Sequence, residues 1–182
     1  MTAEFQARYQ TPDGLDDLQM CSDGECLTGL HFVHSPEDDG CTIDMAACEP
    51  PVFLETRRWL DCYFAGRAPE FLPRYRIVDG LTDFRRAVLG LLLEIPFGQT
   101  MTYGALAKEM ARRRGMARMS AQAVGGAVGW NPLCIVIPCH RVVGADGSMT
   151  GYGGGVPNKL ALLAHEMRWK GGGEMRNEDC KR

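Results

Sequence analysis

The sequence predicts a two-domain α/β protein. A small N-terminal sheet-plus-helix domain precedes a mostly helical C-terminal domain with a helix-turn-helix and a short strand. Three patterns carry this expectation. Two strand-like runs, Leu18 to Ser22 and Leu27 to Val33, flank Asp23-Gly24, a hairpin signal. Apolar spacing turns helical from Phe53 to Phe64, and Arg67 to Val78, with two prolines, then reads as an extended connector. After residue 81, Thr82, Thr102 and Ser120 each stand just ahead of a helix-forming run, as N-caps do. The expected bounds are a loose leader over 1–17, an N-terminal domain and connector over 18–78, a C-terminal domain over 79–170 and a disordered tail over 171–182.

Taken in order, Pro12, Gly14 and the aspartates make the leader polar, and Ser35 to Gly40 reads as an acidic loop. The first helix places Leu54, Trp59, Leu60 and Phe64 on one side and stops at Gly66. The next runs over 82–95, with Phe84, Val88, Leu91, Leu92 and Ile95 at 3–4 spacing, and Pro96 and Gly98 end it. A short helix from Tyr103 to Met110, a basic loop from Arg112 to Arg118 and a small-residue helix from Ala121 to about Val128 follow. They are compatible with a helix-turn-helix whose connector is longer than usual. Leu133 to Ile137 is apolar and bounded by Pro132 and Pro138, so it reads as a buried strand that ends as Cys139 emerges. The glycine-rich stretch from Gly144 to Gly155 lacks a Walker lysine and reads as a mobile pocket loop. Pro157 then opens a helix with Leu160, Leu163 and Met167 as its stripe and Glu166 turned toward Cys139.

Hydrophobic residues make up 45% of the chain, yet no apolar run is long enough to span a membrane. A polar, acidic start without a basic–apolar pattern gives no secretory signal, so the expected location is cytoplasmic, or nuclear in a eukaryote. Eight cysteines at irregular spacing read as free thiols rather than a disulfide framework. Net charge is −3, divided as −10 over residues 1–50 and +7 over 51–182, which hints at a polyanion-facing C-terminal part. Cys21, Cys26, His31 and His34 do not match a common zinc spacing, so no metal is expected, with an N-terminal zinc the less favoured reading.

The most informative stretch is Asn131-Pro132-Leu133-Cys134-Ile135-Val136-Ile137-Pro138-Cys139-His140-Arg141-Val142-Val143. A thiol beside two cationic side chains is where a thiolate becomes available, although an isolated Cys-His pair also occurs as inert core. The full stretch resembles the active-site motif of the O6-alkylguanine-DNA alkyltransferases (methylated-DNA–protein-cysteine methyltransferases), and the resemblance extends from about Leu81 to Met167. It implies single-use transfer of an alkyl group from O6 of guanine, or O4 of thymine, to Cys139, with no cofactor. His140 would be the base, acting through a water, Glu166 its partner, and Asn131 the holder of the turn. Tyr103, Tyr152, Val142 and Gly153 would meet the flipped base. Thr102, Ala123, Gly125, Gly126, Arg114, Arg118 and Arg141 would meet double-stranded DNA through its minor groove, with the protein a monomer. Family members commonly fill the vacated base stack with an arginine; here that position is Gln122, without the charge or planar stacking surface. The open alternatives are a non-catalytic lesion sensor, a Cys-His-Glu thiol hydrolase and a transcription regulator.

Overall fold

A computed structural model describes residues 5–33, 49–77, 80–149 and 151–169. Three antiparallel strands, β1 (Phe5–Tyr9), β2 (Leu18–Ser22) and β3 (Leu27–Phe32), form a sheet in that order. Every residue of β2 is buried, as a central strand requires. The hairpin after it is pinned by Asp23, whose Oδ1 accepts from the Glu25 and Cys26 amides, while Gly24 takes a φ of +98°. The predicted leader is therefore half wrong: Phe5 to Tyr9 pairs with β2 from Phe5↔Ser22 to Tyr9↔Leu18. Its polar Gln6 and Arg8 disguise an edge strand, and Tyr9 secures it by donating to Asp61 Oδ1 at 2.8 Å.

Helix α1 (Pro51–Phe64) packs on the sheet through Val52, Phe53, Trp59, Leu60 and Tyr63. Trp59 and Leu60 are buried as predicted, but Leu54, predicted beside them, is 52% exposed; the face takes in Phe53, Tyr63 and Thr56 instead, and the Thr56 hydroxyl donates to Val52 O at 2.8 Å. The outer edge of β3 is not left open. The Leu27 amide donates to Arg74 O and its carbonyl accepts from the Arg76 amide, while Leu30 does the same with Pro132 O and the Cys134 amide, all at 2.8–2.9 Å. The connector and the segment carrying the predicted site are thus both docked on the N-terminal sheet.

The C-terminal half follows its caps. Helices α2 (Asp83–Leu93), α3 (Tyr103–Arg113) and α4 (Ala121–Gly129) begin at Thr82, Thr102 and Ser120, and each cap hydroxyl accepts from the amide three residues on. Strand β4 (Met101–Thr102) lies parallel to β5 (Val142–Val143), which brings the start of α3 beside the end of the Cys139 motif. Helix α5 (Val156–Trp169) completes the order. Its predicted stripe is displaced: Leu160 and Met167 are 48% and 71% exposed, and the buried face is Asn158, Lys159, Leu162, Leu163 and Glu166. A single hydrophobic core joins residues of both halves. Cys62 is disulfide-bonded, against the expectation of free thiols throughout; uneven spacing does not exclude a bridge. The acidic loop at 35–40, the tail at 171–182 and His34 lie outside the described residues.

The Thr102 cap serves both β4 and α3. Thr102→Ala is expected to cost about 1 kcal/mol, seen as a fall of about 2–4 °C in the thermal midpoint.

Candidate active site

Leu133 to Ile137 is not a strand. Only Leu133 makes a bridge, to Leu30, and the rest is a series of tight turns. Ile135 has a φ of +66°, a strained value for a β-branched residue, and the Val136 amide closes a γ-turn around it onto Cys134 O at 2.7 Å. Pro138, at φ −81° and ψ 62°, makes an inverse γ-turn closed by the Cys139 amide on Ile137 O at 2.8 Å. Both prolines and the β-branched side chains that suggested a strand instead serve turns. One side chain holds them: Asn131 accepts from the Leu133 amide, and its Nδ2 donates to Leu133 O, Ile137 O and Cys139 Sγ at 3.3, 2.8 and 3.0 Å. The Leu133 and Ile137 carbonyls already accept from the Ile137 and Cys139 amides, so Asn131 gives each a second donor and ties the turns together.

Cys139 therefore sits on a single 3-10 turn (Cys139–Arg141) only 5% exposed, with its sulfur hydrogen-bonded. The Cys134 side chain hydrogen-bonds that sulfur and is the largest influence holding its pKa below the ordinary thiol value; burial opposes it, and Asn131 and the Lys159 charge reinforce it. Lys159 is wholly buried on α5, donates to Val142 O at 2.6 Å, and lies 5.9 Å from the rings of Tyr103 and Tyr152. Burial lowers its own pKa, with the Cys139 charge working the other way.

Behind the thiol lies a closed ionic network. Glu166, 0% exposed, accepts from His140 Nε2 at 2.8 Å, Tyr63 Oη at 2.8 Å, the Gly98 amide at 2.8 Å and Arg141 Nε and Nη2 at 2.9–3.1 Å. Burial alone would raise its pKa, but the hydrogen bonds and charges of His140 and Arg141 outweigh that and hold it at about 2. A carboxylate only accepts, so the His140 proton resides on Nε2. Nδ1 is buried with no partner and is left as the basic nitrogen. Burial pushes the His140 pKa below its ordinary value, against the pull of Glu166, which favours the neutral ring.

The remaining predicted residues divide. Tyr103 and Tyr152 flank Lys159; Tyr152 is fixed by an edge contact with Phe32, and its hydroxyl has no hydrogen-bond partner. Gly153 is half-buried on the same loop, and the Val142 carbonyl is taken by Lys159. On α4, Gln122, Ala123 and Gly126 are exposed, and Gly125 faces the Tyr103 ring. Arg114 and Arg118 are exposed, with Arg114 donating to Asp83 O at 3.0 Å and lying over the Phe84 ring, and Arg112 and Arg113 are held by Glu109 and Glu94. Arg141 was expected on the DNA-facing surface; instead it is buried, paired to Glu166 and hydrogen-bonded to Ile95 O at 2.7 Å. Its place two residues after Cys139 in sequence concealed that a 3-10 turn points it inward. Three residues escaped prediction. Lys159 shares a helix face with Glu166 seven residues on, a spacing that was available; Cys134 and Tyr63 carry no local signal. Among the described residues no His, Cys, Asp and Glu group is placed to hold a metal ion. A cleft of about 470 Å³ lined by Trp59, Tyr63, Phe71, Phe97 and Arg141 backs onto the network without reaching Cys139.

Fold and site together define a protein whose reactive group is a buried, hydrogen-bonded thiol mounted beside two capped helices. Residues 83–168 match the family model described as 6-O-methylguanine DNA methyltransferase, DNA binding domain. The chain is 40% identical to a methylated-DNA–protein-cysteine methyltransferase of Methanosarcina acetivorans over 89% of this chain and 97% of that one. It is 37% identical to one of Haemophilus influenzae, over 91% and 88%. Its fold overlays the crystal structure of Mycobacterium tuberculosis OGT in complex with DNA with a TM-score of 0.71 and 33% identity, covering 91% and 93% of the two chains. The chain belongs to the methylated-DNA–protein-cysteine methyltransferase family.

Asn131→Ala and Lys159→Met each remove a group that favours the thiolate. Each is expected to raise the pH midpoint of the Cys139 thiolate absorbance, read as a difference from Cys139→Ser, Asn131→Ala through the lost hydrogen bond and Lys159→Met through the lost charge.

Proposed function

We propose that the protein repairs alkylated DNA by moving the alkyl group from O6 of guanine to Cys139, once per molecule. The observation that carries this is the sulfur itself: desolvated, favoured as a thiolate by Cys134, Asn131 and Lys159, and adjacent in chain to an imidazole whose free Nδ1 can take its proton. In the step, the thiol proton passes through a water to His140, and the sulfur attacks the alkyl carbon. The S–C bond forms as the C–O6 bond breaks, and the electron pair goes to the purine. Glu166 then stabilises the imidazolium, as an orienting carboxylate does. Tyr103 is suited to donate to the leaving purine because burial, then the thiolate charge, keeps its phenol protonated. Tyr152 and Gly153 would close the base pocket.

The nucleic-acid face is α4. Gly126 and Gly129 have open space where a Cβ would stand, so nothing inside the protein demands glycine there. Small exposed residues permit close approach of a DNA backbone in the minor groove, with Gln122 filling the gap left by a flipped nucleotide and Thr102, Ala123, Arg114 and Arg118 around it. A thiol hydrolase would have no use for that face, and a sensor no use for an activated thiol.

The test is intact-protein mass spectrometry after incubation with a duplex carrying one O6-methylguanine. A gain of one methyl group per chain, localised to Cys139 and absent from Cys139→Ser, is expected. Duplex binding without a mass gain would mark a sensor instead.

A further inference from the structure

One side chain that the transfer step leaves without a role reaches the Glu166–His140 pair from the other half of the molecule. Tyr63 is the penultimate residue of α1 and is fully buried. Its hydroxyl donates to Glu166 Oε1 at 2.8 Å and lies 3.4 Å from His140 Nε2. His140 Nε2 reaches the same carboxylate oxygen at 2.8 Å and Arg141 Nη2 and Nε at 2.9 and 3.1 Å, so donors from three residues converge on one atom. The phenol cannot drift from that position. Trp59 stacks on its ring at 5.7 Å, and Phe64 and Phe97 meet it edge-on at 5.2 and 5.6 Å. Its own backbone carbonyl accepts from His165 Nε2 at 2.8 Å, fixing the end of α1 to α5. Burial, followed by the Glu166 charge, keeps the phenol protonated, so it acts as a donor.

We propose that Tyr63 is a positioning residue for methyl transfer, its hydroxyl holding Glu166 Oε1 so that His140 stays neutral with Nδ1 free toward Cys139. The proposal rests on the methyltransferase reading above for its consequence, though not for its geometry. A carboxylate oxygen that gives part of its charge to Tyr63 is a weaker partner for an imidazolium. Removing the hydroxyl makes Oε1 more basic, strengthens its hold on a charged ring, and so favours protonation of Nδ1, the atom the transfer step needs empty. The other groups around His140 are Glu166 and Lys159 on α5 and Cys139 and Arg141 beside it, and they are the same in a phenylalanine variant. The N-terminal domain thereby acts on the chemistry through one oxygen atom.

The experiment is Tyr63→Phe, which keeps the ring and removes only the hydroxyl. Two readouts are taken: the NMR titration of the His140 ring without DNA, and the rate of methyl transfer from an O6-methylguanine duplex across pH. The expected results are a higher His140 midpoint and transfer about ten-fold slower near neutral pH, the scale of losing a hydrogen bond to a charged group. The deficit should shrink as pH rises and the ring is again neutral. In a Glu166→Gln background the same change should add little, because the two residues act as a unit. An unchanged titration, an equal loss in both backgrounds, or a Tyr63→Phe chain that does not fold would overturn the assignment in favour of a packing role. If Tyr63→Phe raises the His140 midpoint while the wild-type protein transfers no methyl group, the methyltransferase reading fails and only the hold of Tyr63 on Glu166 and His140 stands.

Discussion

The structure depends on a carboxylate with no access to water. Glu166 draws one donor each from α1, from the turn after α2 and from the 3-10 turn, and two from the Arg141 guanidinium. An isolated buried charge would be strongly unfavourable; the guanidinium and the surrounding donors are what make it tolerable. Hydrophobic replacements of such networks are often as stable, so stability alone does not account for one here. What the network supplies is orientation. With every Glu166 contact a donor, His140 has one tautomer available, and the ring presents its acceptor nitrogen away from the carboxylate.

The thiol is governed by a separate and simpler constraint. Asn131 donates to the Leu133 carbonyl ahead of the first γ-turn, to the Ile137 carbonyl of the second and, with the same amide, to the Cys139 sulfur. The strained Ile135 conformation is stable because Leu133 and Cys134 are anchored to the edge of β3 on one side and to Asn131 on the other. The N-terminal sheet thus contributes to the site twice, through the Leu30 edge pairing and through Tyr63. Gly154 shows how closely the halves meet: a Cβ there would stand 2.5 Å from the Phe32 ring and 2.7 Å from that of Tyr152.

What the sequence disclosed was local. Thr82, Thr102 and Ser120 could be read as caps because a cap's partner is three residues away, and the structure places each as expected. Asp23-Gly24 was legible for the same reason. The errors came where a distant partner decides. β-branched residues between prolines favour a strand, but the Asn131 amide folds them into turns. Arg141 follows Cys139 in sequence yet meets Glu166 from α5, and Phe5 to Tyr9 becomes a strand only because β2 lies beside it. Helix phase was misjudged on α5 because the polar Asn158 and Lys159 join Glu166, the one polar residue expected to turn inward, on its buried face. Each has a partner there that no periodicity contains: Asp16, Val142 and His140.

The most direct measurement of the central claim is the tautomer and charge of His140, by long-range ¹H–¹⁵N correlation on ring-labelled protein near neutral pH. The account predicts a neutral ring with the proton on Nε2 and a bare Nδ1. A ring protonated on Nδ1, or on both nitrogens, would contradict it, because the carboxylate would then not be preparing a base for the Cys139 thiol.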